Sequence, residues 1–272
     1  LECARLPWMI RVRALVFLWV VLALTAFLVV DGLAVRLVLL AVGGGVTLHL
    51  LTLKGAREHS DRAGRIVGGI IGVVAYALAL ALAVGVVQVT GLAHPLAQIG
   101  LGTVVATVVV FGASVLSDNS SVYDPYWSVQ PLAIVGYYLA RLPDLPTART
   151  VLVSLLVLLY ALRLTSNFYR GWPGLTHEDF RYRAFRARFG RAYWPVSLFG
   201  IHLFPTLMVY LGCLPLYGVM SGGSGGLTWL DALATLLILG AIVLAFVSDE
   251  QMREFRRDPL NRGKSIVTGL WA

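Results

Sequence analysis

Leu227-Thr-Trp-Leu-Asp-Ala-Leu-Ala-Thr-Leu-Leu-Ile-Leu-Gly-Ala-Ile-Val-Leu-Ala-Phe-Val247 runs straight into Ser248-Asp-Glu-Gln-Met-Arg-Glu-Phe-Arg-Arg-Asp-Pro-Leu-Asn-Arg-Gly-Lys264. As a helix rising about 1.5 Å per residue, the first stretch is long enough to cross the hydrocarbon of a bilayer. The second is dense in charge and belongs at a membrane edge. The rest of the chain repeats this alternation. Hydrophobic residues make up 58% and charged residues 13%, with a mean hydropathy of +0.80. No soluble core hides that much apolar surface, so the sequence predicts an all-α, polytopic membrane helical bundle. The net charge of +8 and pI near 9.8 do not require nucleic acid, because basic loops on one side of a membrane account for them. Cys3 and Cys213 provide neither a disulfide framework nor metal-ligand spacing.

Eight apolar runs are expected to be membrane segments: 12–30, 33–53, 66–89, 99–116, a short 131–140, 147–164, 196–216 and 227–247. The first is read as a retained span, since no small-residue cleavage site precedes Asp31-Gly32. With the N-terminus cytoplasmic, 19 of the 22 basic residues fall on the inner side, and only Arg36, Arg141 and Arg149 lie outside. That asymmetry obeys the positive-inside rule and fits an even number of crossings. The chain starts at Leu1 and stops at Ala272 just as hydrophobicity returns, which reads as a fragment open at both ends.

Several motifs carry two readings. Gly64, Gly68 and Gly72 have the small-xxx-small spacing that lets helices approach closely, and the nucleotide-loop reading is the weaker one. Gly222-Gly223-Ser224-Gly225-Gly226 lacks the Lys-Ser/Thr of a phosphate loop and reads as a connector. His49 and His202 sit singly in apolar runs, as packed or bridging residues rather than metal ligands. Thr176-His-Glu-Asp179 has capping-box spacing, and a helix to Gly190 follows, with an Asp179–Arg183 pair expected at i,i+4. On it Tyr182, Phe185 and Phe189 share one face with arginines on both flanks, the pattern of an interfacial helix near 176–190. Anchoring and site closure, the latter through Glu178 on the aromatic side, both remain open.

Asp124, Tyr126 and Trp127 stand at the edge of the short segment; Asp124 is either a helix cap or an ionisable group placed for function. Tyr160 and Arg163, at i and i+3, share a face. Arg163 either snorkels or helps to polarise a carbonyl. If the last helix continues past Ser248, then Asp249, Arg253 and Arg256 fall on one face until Pro259 stops it. Arginine forks suit phosphate and Asp249 suits a hydroxyl or amine, while a solvated basic loop is the plain alternative.

Three stretches together resemble one family: Asn119-Ser-Ser-Val-Tyr-Asp-Pro-Tyr-Trp-Ser128; Leu162-Arg-Leu-Thr-Ser-Asn167 with Glu178-Asp-Phe-Arg-Tyr182; and Ser248-Asp-Glu-Gln251 followed by Phe255, Asn261, Gly263 and Gly269-Leu-Trp271. They look like the bacterial membrane proteins of unknown function grouped with the steroid 5-alpha-reductases. The resemblance covers residues 99–272, a reductase-like domain, and residues 1–98 form membrane helices without a recognised counterpart. It implies an oxidoreductase that reduces a carbon–carbon double bond conjugated to a carbonyl in a lipophilic substrate, with NADPH as cofactor. By that resemblance Tyr160 and Asp124 are the catalytic pair, and Asp249, Arg253, Arg256, Asn261 and Gly263 bind the cofactor. Trp127, Arg163, Glu178 and Tyr182 contact substrate or close the site. Asp124 stands where the reductases carry Glu, and Ala245 where the steroid enzymes have Asn. The family continues after Gly-Leu-Trp with an Arg-His-Pro-Asn-Tyr-like block, absent here, so the 272-residue chain is expected to be inactive and to hold NADPH weakly.

Two rival readings stand beside it. One is a membrane methyltransferase of the isoprenylcysteine type using S-adenosylmethionine; the other is a non-enzymatic membrane protein. The expected partners are the lipid bilayer and a lipophilic small molecule, without nucleic acid or metal. The expected location is a bacterial inner membrane, with the cofactor side cytoplasmic.

Overall fold

A computed structural model of the chain describes residues 61–141, 147–222 and 226–272, so the predicted spans 12–30 and 33–53, and His49 with them, lie outside the described residues. All regular structure among the described residues is helical. Five segments there are long and apolar enough to cross a membrane: Gly68–Val89, Pro95–Leu116, Ala148–Gly171, Phe180–Ser221 and Trp229–Arg257. They take in five of the eight predicted spans. The short run 131–140 lies in the helix Tyr126–Arg141, whose 16 residues with Pro131 inside reach about 24 Å, less than the roughly 30 Å of a hydrocarbon core.

The predicted span 196–216 is not one straight helix. A single turn at Tyr193–Val196 passes into a π-helix at Ser197–Leu203, then helices Phe204–Gly212 and Leu214–Ser221. Pro195, Pro205 and Pro215 recur through this segment, each removing a backbone donor and breaking helical regularity. The last helix does continue beyond Ser248, to Arg257, and a turn at Pro259–Asn261 follows.

The described chain divides into two compact units. The first comprises the described residues up to Trp127 together with Trp172–Gly212. Its core joins Leu78, Ala79 and Ala83 of helix Asp61–Val89 to Ala106, Val109 and Val110 of helix Pro95–Leu116, with Tyr123, Tyr126, Tyr182, Tyr193 and Ile201 around them. Small residues let helices approach in lipid, where no hydrophobic force drives them together. Gly68 shows that logic in another form. A Cβ there would lie 2.4 Å from Cη2 of Trp172, so the glycine seats an indole ring.

Polar side chains then hold this unit. Thr107 and Thr206 hydroxyls meet at 2.8 Å, and the Tyr123 hydroxyl donates to the His202 carbonyl at 2.8 Å. His202 is fully buried. Its Nδ1 donates to the Ser197 carbonyl at 2.9 Å, and its Nε2 faces the Ser114 hydroxyl at 3.1 Å. This is the helix-bridging role expected of it.

The second unit comprises Ser128–Gly171 and Cys213–Ala272. Helices Ala148–Gly171 and Trp229–Arg257 lie side by side in the same direction, tied near both ends. At their starts, Arg149 holds Asp231, the one acidic residue of the quoted apolar stretch, by two hydrogen bonds of 2.7 and 2.9 Å. Asp231 also closes a capping box with Thr228. Toward the other end Arg163 pairs with Asp249.

Candidate functional site

The first unit brings the loop 117–125 against the segment 172–186. Asn119 caps the short turn Ser120–Tyr123, accepting from Ser121 N at 2.8 Å, and its amide donates to the carbonyls of Leu175 and His177 at 2.9 Å each. Glu178 accepts from Ser120 N at 2.9 Å, from the Tyr193 hydroxyl at 3.2 Å, and from Nε and Nη2 of Arg186 at 3.2 and 3.1 Å. Arg186 also reaches Asp118 at 2.9 Å and lies 4.1 Å from the centroid of the Tyr193 ring. Asp118 sits at φ 48, a strained position for a non-glycine residue that this ion pair helps to hold.

At the end of the loop the Tyr182 hydroxyl donates to Oδ1 of Asp124. Two of the predicted residues, from different stretches of the chain, therefore meet. Burial pushes the Asp124 carboxyl up to about 7; the bond from Tyr182 offsets part of that rise, and nearby Asp179 adds to it. A carboxyl with a folded pKa above its ordinary 3.8 favours the fold when protonated. Its contribution is complete below about pH 4 and is lost as pH rises toward 7. We therefore expect the melting temperature of the wild type to fall relative to Asp124→Asn over that window; parallel pH profiles of the two proteins contradict the assignment.

The local geometry departs from the expected cap. Asp179 caps the helix Phe180–Phe189 by itself, accepting from Arg181 N, and its ion pair is with Arg181 rather than Arg183. Gly190, at φ 49, ends the helix as expected. The aromatic face is not presented whole to the surroundings: Tyr182 is buried against Asp124, whereas Phe185 and Phe189 are exposed at its edge. Trp127, expected to contact substrate, is 40% exposed at the start of its helix.

The second unit holds the other predicted residues. Asp249 pairs with Arg163, whose Nε is buried without a hydrogen-bond partner. Arg253 pairs with Glu250 and donates to Asn167 Oδ1 at 2.6 Å, and Arg170 holds Glu250 at 2.5 Å. Arg163, Asn167 and Arg170 recur at i, i+4 and i+7, a ladder complementary to the neighbouring helix. Asp249 and Arg253 are thus engaged by that helix. Tyr160, one turn before Arg163, is 38% exposed and makes no hydrogen bond among the described residues.

Arg256, Asn261 and Gly263 line a cavity of about 860 Å³ at the end of the last helix. Arg257, Arg262 and Lys264 also line it, with Asp258 as the single carboxylate, and Phe255, Ile266 and Trp271 supply apolar wall. The spacing of Phe255, Asn261, Gly263 and Gly269 that carries the resemblance has a local purpose here. Asn261 caps the helix by donating to the Phe255 carbonyl at 3.0 Å, and Gly263 turns the chain at φ 79. Gly269 adopts φ 64 where a Cβ would meet Gln251 at 2.6 Å, and the Trp271 indole donates to the Ser248 carbonyl at 3.0 Å. The final turn is thereby folded back on the helix to wall the cavity. Sequence reading named Asn119 only within a stretch of the resemblance, and Arg257, Arg262 and Lys264 only within a charge-dense stretch; it did not single out Tyr193.

No group of three or more potential metal ligands occurs among the described residues. No solved structure matches the chain. An uncharacterized protein of Schizosaccharomyces pombe is 28% identical over 165 residues, covering 58% of this chain and 48% of that protein. The chain therefore spans about half the length of this relative. A family model described as "Protein of unknown function (DUF1295)" matches residues 110–272. That stretch contains the Asn119 loop, the Glu178 clamp, Tyr160 and the basic cavity, and by it the chain belongs to the DUF1295 family.

Proposed function

We propose that this membrane protein reduces a carbon–carbon double bond conjugated to a carbonyl in a lipophilic molecule, with NADPH held at the basic cavity of the second unit. The cavity is the observation that carries the reading. Four cations against one carboxylate suit a ligand with several phosphate charges, and arginine forks match phosphate geometry. S-adenosylmethionine, whose sulfonium is a cation, suits such a lining poorly, which favours the reductase over the methyltransferase.

In this reading Arg256, Arg262 and Lys264 neutralise phosphate, while Asn261 and Gly263 keep the turn in the shape that aims them. NADPH, when bound, supplies the hydride. The residues of the chain must then stabilise the negative charge that develops on the carbonyl oxygen, which hydrogen-bond donors do best where water is excluded. Tyr160 has a hydroxyl free to donate.

The test is nucleotide binding by the purified protein in detergent or nanodiscs. Arg256→Gln/Arg262→Gln is expected to raise the Kd for NADPH about thirtyfold to a thousandfold, from two lost charge-assisted contacts of roughly 1–2 kcal/mol each. Binding of S-adenosylmethionine with no NADPH binding establishes the methyltransferase instead. Binding of neither leaves the non-enzymatic reading.

A further inference from the structure

The helix Phe180–Phe189 has a second face, opposite the one that seats Tyr182. At 100° per residue, Phe180, Ala184 and Ala187 form a line at i, i+4 and i+7, flanked by Arg183 on one side and Arg188 on the other. All five residues are exposed, Phe180 at 70%. The inward arginine, Arg186, is committed to Glu178 and Asp118, and Arg181 is committed to Asp179. Arg183, Arg188 and Arg191 of the following turn have no carboxylate partner among the described residues. The nearby acidic side chains, Asp118, Glu178 and Asp179, are all engaged by the other two arginines.

We propose that this outward face is a docking surface for the headgroups of anionic phospholipids. The chemistry is complementary. Arginines on both edges meet phosphate, and the Phe180–Ala184–Ala187 line settles at the boundary between headgroup and acyl chain. The partner is at hand, because the helix opens a segment that itself carries a membrane-length apolar run. Of the five arginines within residues 180–191, the three without a carboxylate partner among the described residues, Arg183, Arg188 and Arg191, are left for such a surface in a chain so sparing of charge. This docking is independent of the reductase reading.

Native mass spectrometry of the whole chain in neutral detergent, titrated with phosphatidylglycerol or phosphatidylcholine, reads the preference. The wild type should bind phosphatidylglycerol at least about tenfold more tightly, as three unpaired charges near an anionic headgroup imply. Arg183→Gln/Arg188→Gln/Arg191→Gln should lose that preference while keeping the wild-type melting temperature in neutral detergent, since the Glu178 and Asp179 pairs are untouched. The corresponding triple Lys variant should retain it. An equal affinity for the two lipids in the wild type, a preference that survives in the Gln variant, or displacement of the lipid by millimolar inorganic phosphate overturns the proposal.

Discussion

Measured in protein that carries the family's Arg-His-Pro-Asn-Tyr-like block, Tyr160→Phe is expected to lower turnover of an enone substrate by about a hundredfold to a thousandfold, with the Kd for NADPH changed less than twofold. Removing one donor to a developing oxyanion has effects of that size in other enzymes, roughly 3–4 kcal/mol. The variant deletes a single oxygen that makes no hydrogen bond among the described residues, so it disturbs no contact of the fold. The Arg163–Asp249 pair one turn away stays in place, and the cavity lined by Arg256 does not include Tyr160. A loss in kcat with binding intact therefore separates chemistry at the phenol from cofactor capture. Unchanged kcat removes Tyr160 from the reaction.

The residues that could be read from sequence are those whose role is local or periodic. Apolar runs longer than a bilayer is thick announce spans 66–89, 99–116 and 227–247 without any tertiary knowledge. Gly190 and Pro259 mark helix ends by their own backbone limits. The start of the helix Phe180–Phe189 was harder, because Thr176 and Asp179 both satisfy a capping rule. The choice is made from 58 residues away. Ser121 Oγ accepts from Asp179 N, and the Asn119 amide holds the carbonyls of Leu175 and His177, which keeps 175–178 out of the helix.

Distance along the chain also hid the partners of the charged candidates. Asp249 and Arg253 do share a helical face, as their spacing says, but spacing cannot reveal that Arg163 and Asn167 lie against that face. The same holds for Arg149 and Asp231, 82 residues apart, which make an acid in an apolar stretch affordable at a membrane edge. Helix spacing gives angles on one cylinder; it gives no information about which second cylinder lies alongside. The outward face of Phe180, Ala184 and Ala187 was obscured for a related reason. The aromatic residues drew attention to Tyr182, and only burial of that side chain shows which face is left for the surroundings.

The second large effect belongs to Glu178. Glu178→Ala should destabilise the protein by about 2–4 kcal/mol, from one backbone donor left unpaired and the charge-assisted bonds to a part-exposed Arg186 lost. Its side chain is 11% exposed, and it answers Ser120 N, the Tyr193 hydroxyl and Arg186 together. Truncation strands the Ser120 N–H, while Arg186 keeps only Asp118 and the Tyr193 hydroxyl only the Ser120 hydroxyl. Glu178→Gln keeps the shape and an acceptor but not the charge, so it should cost less than half as much. The double variant Glu178→Ala/Arg186→Ala should be less destabilised than the sum of the single changes by at least about 1 kcal/mol, because the Glu178–Arg186 pair is then lost once and only Asp118, 63% exposed, loses a partner. Thermal melts of the four proteins in one detergent supply the cycle. Simple additivity denies the coupling. The Glu178 clamp also fixes the loop that ends at Asp124, so its loss should weaken the Asp124–Tyr182 bond and reduce the fall in stability between pH 4 and 7. A loop held only by its own turn would keep that pH dependence when Glu178 is gone.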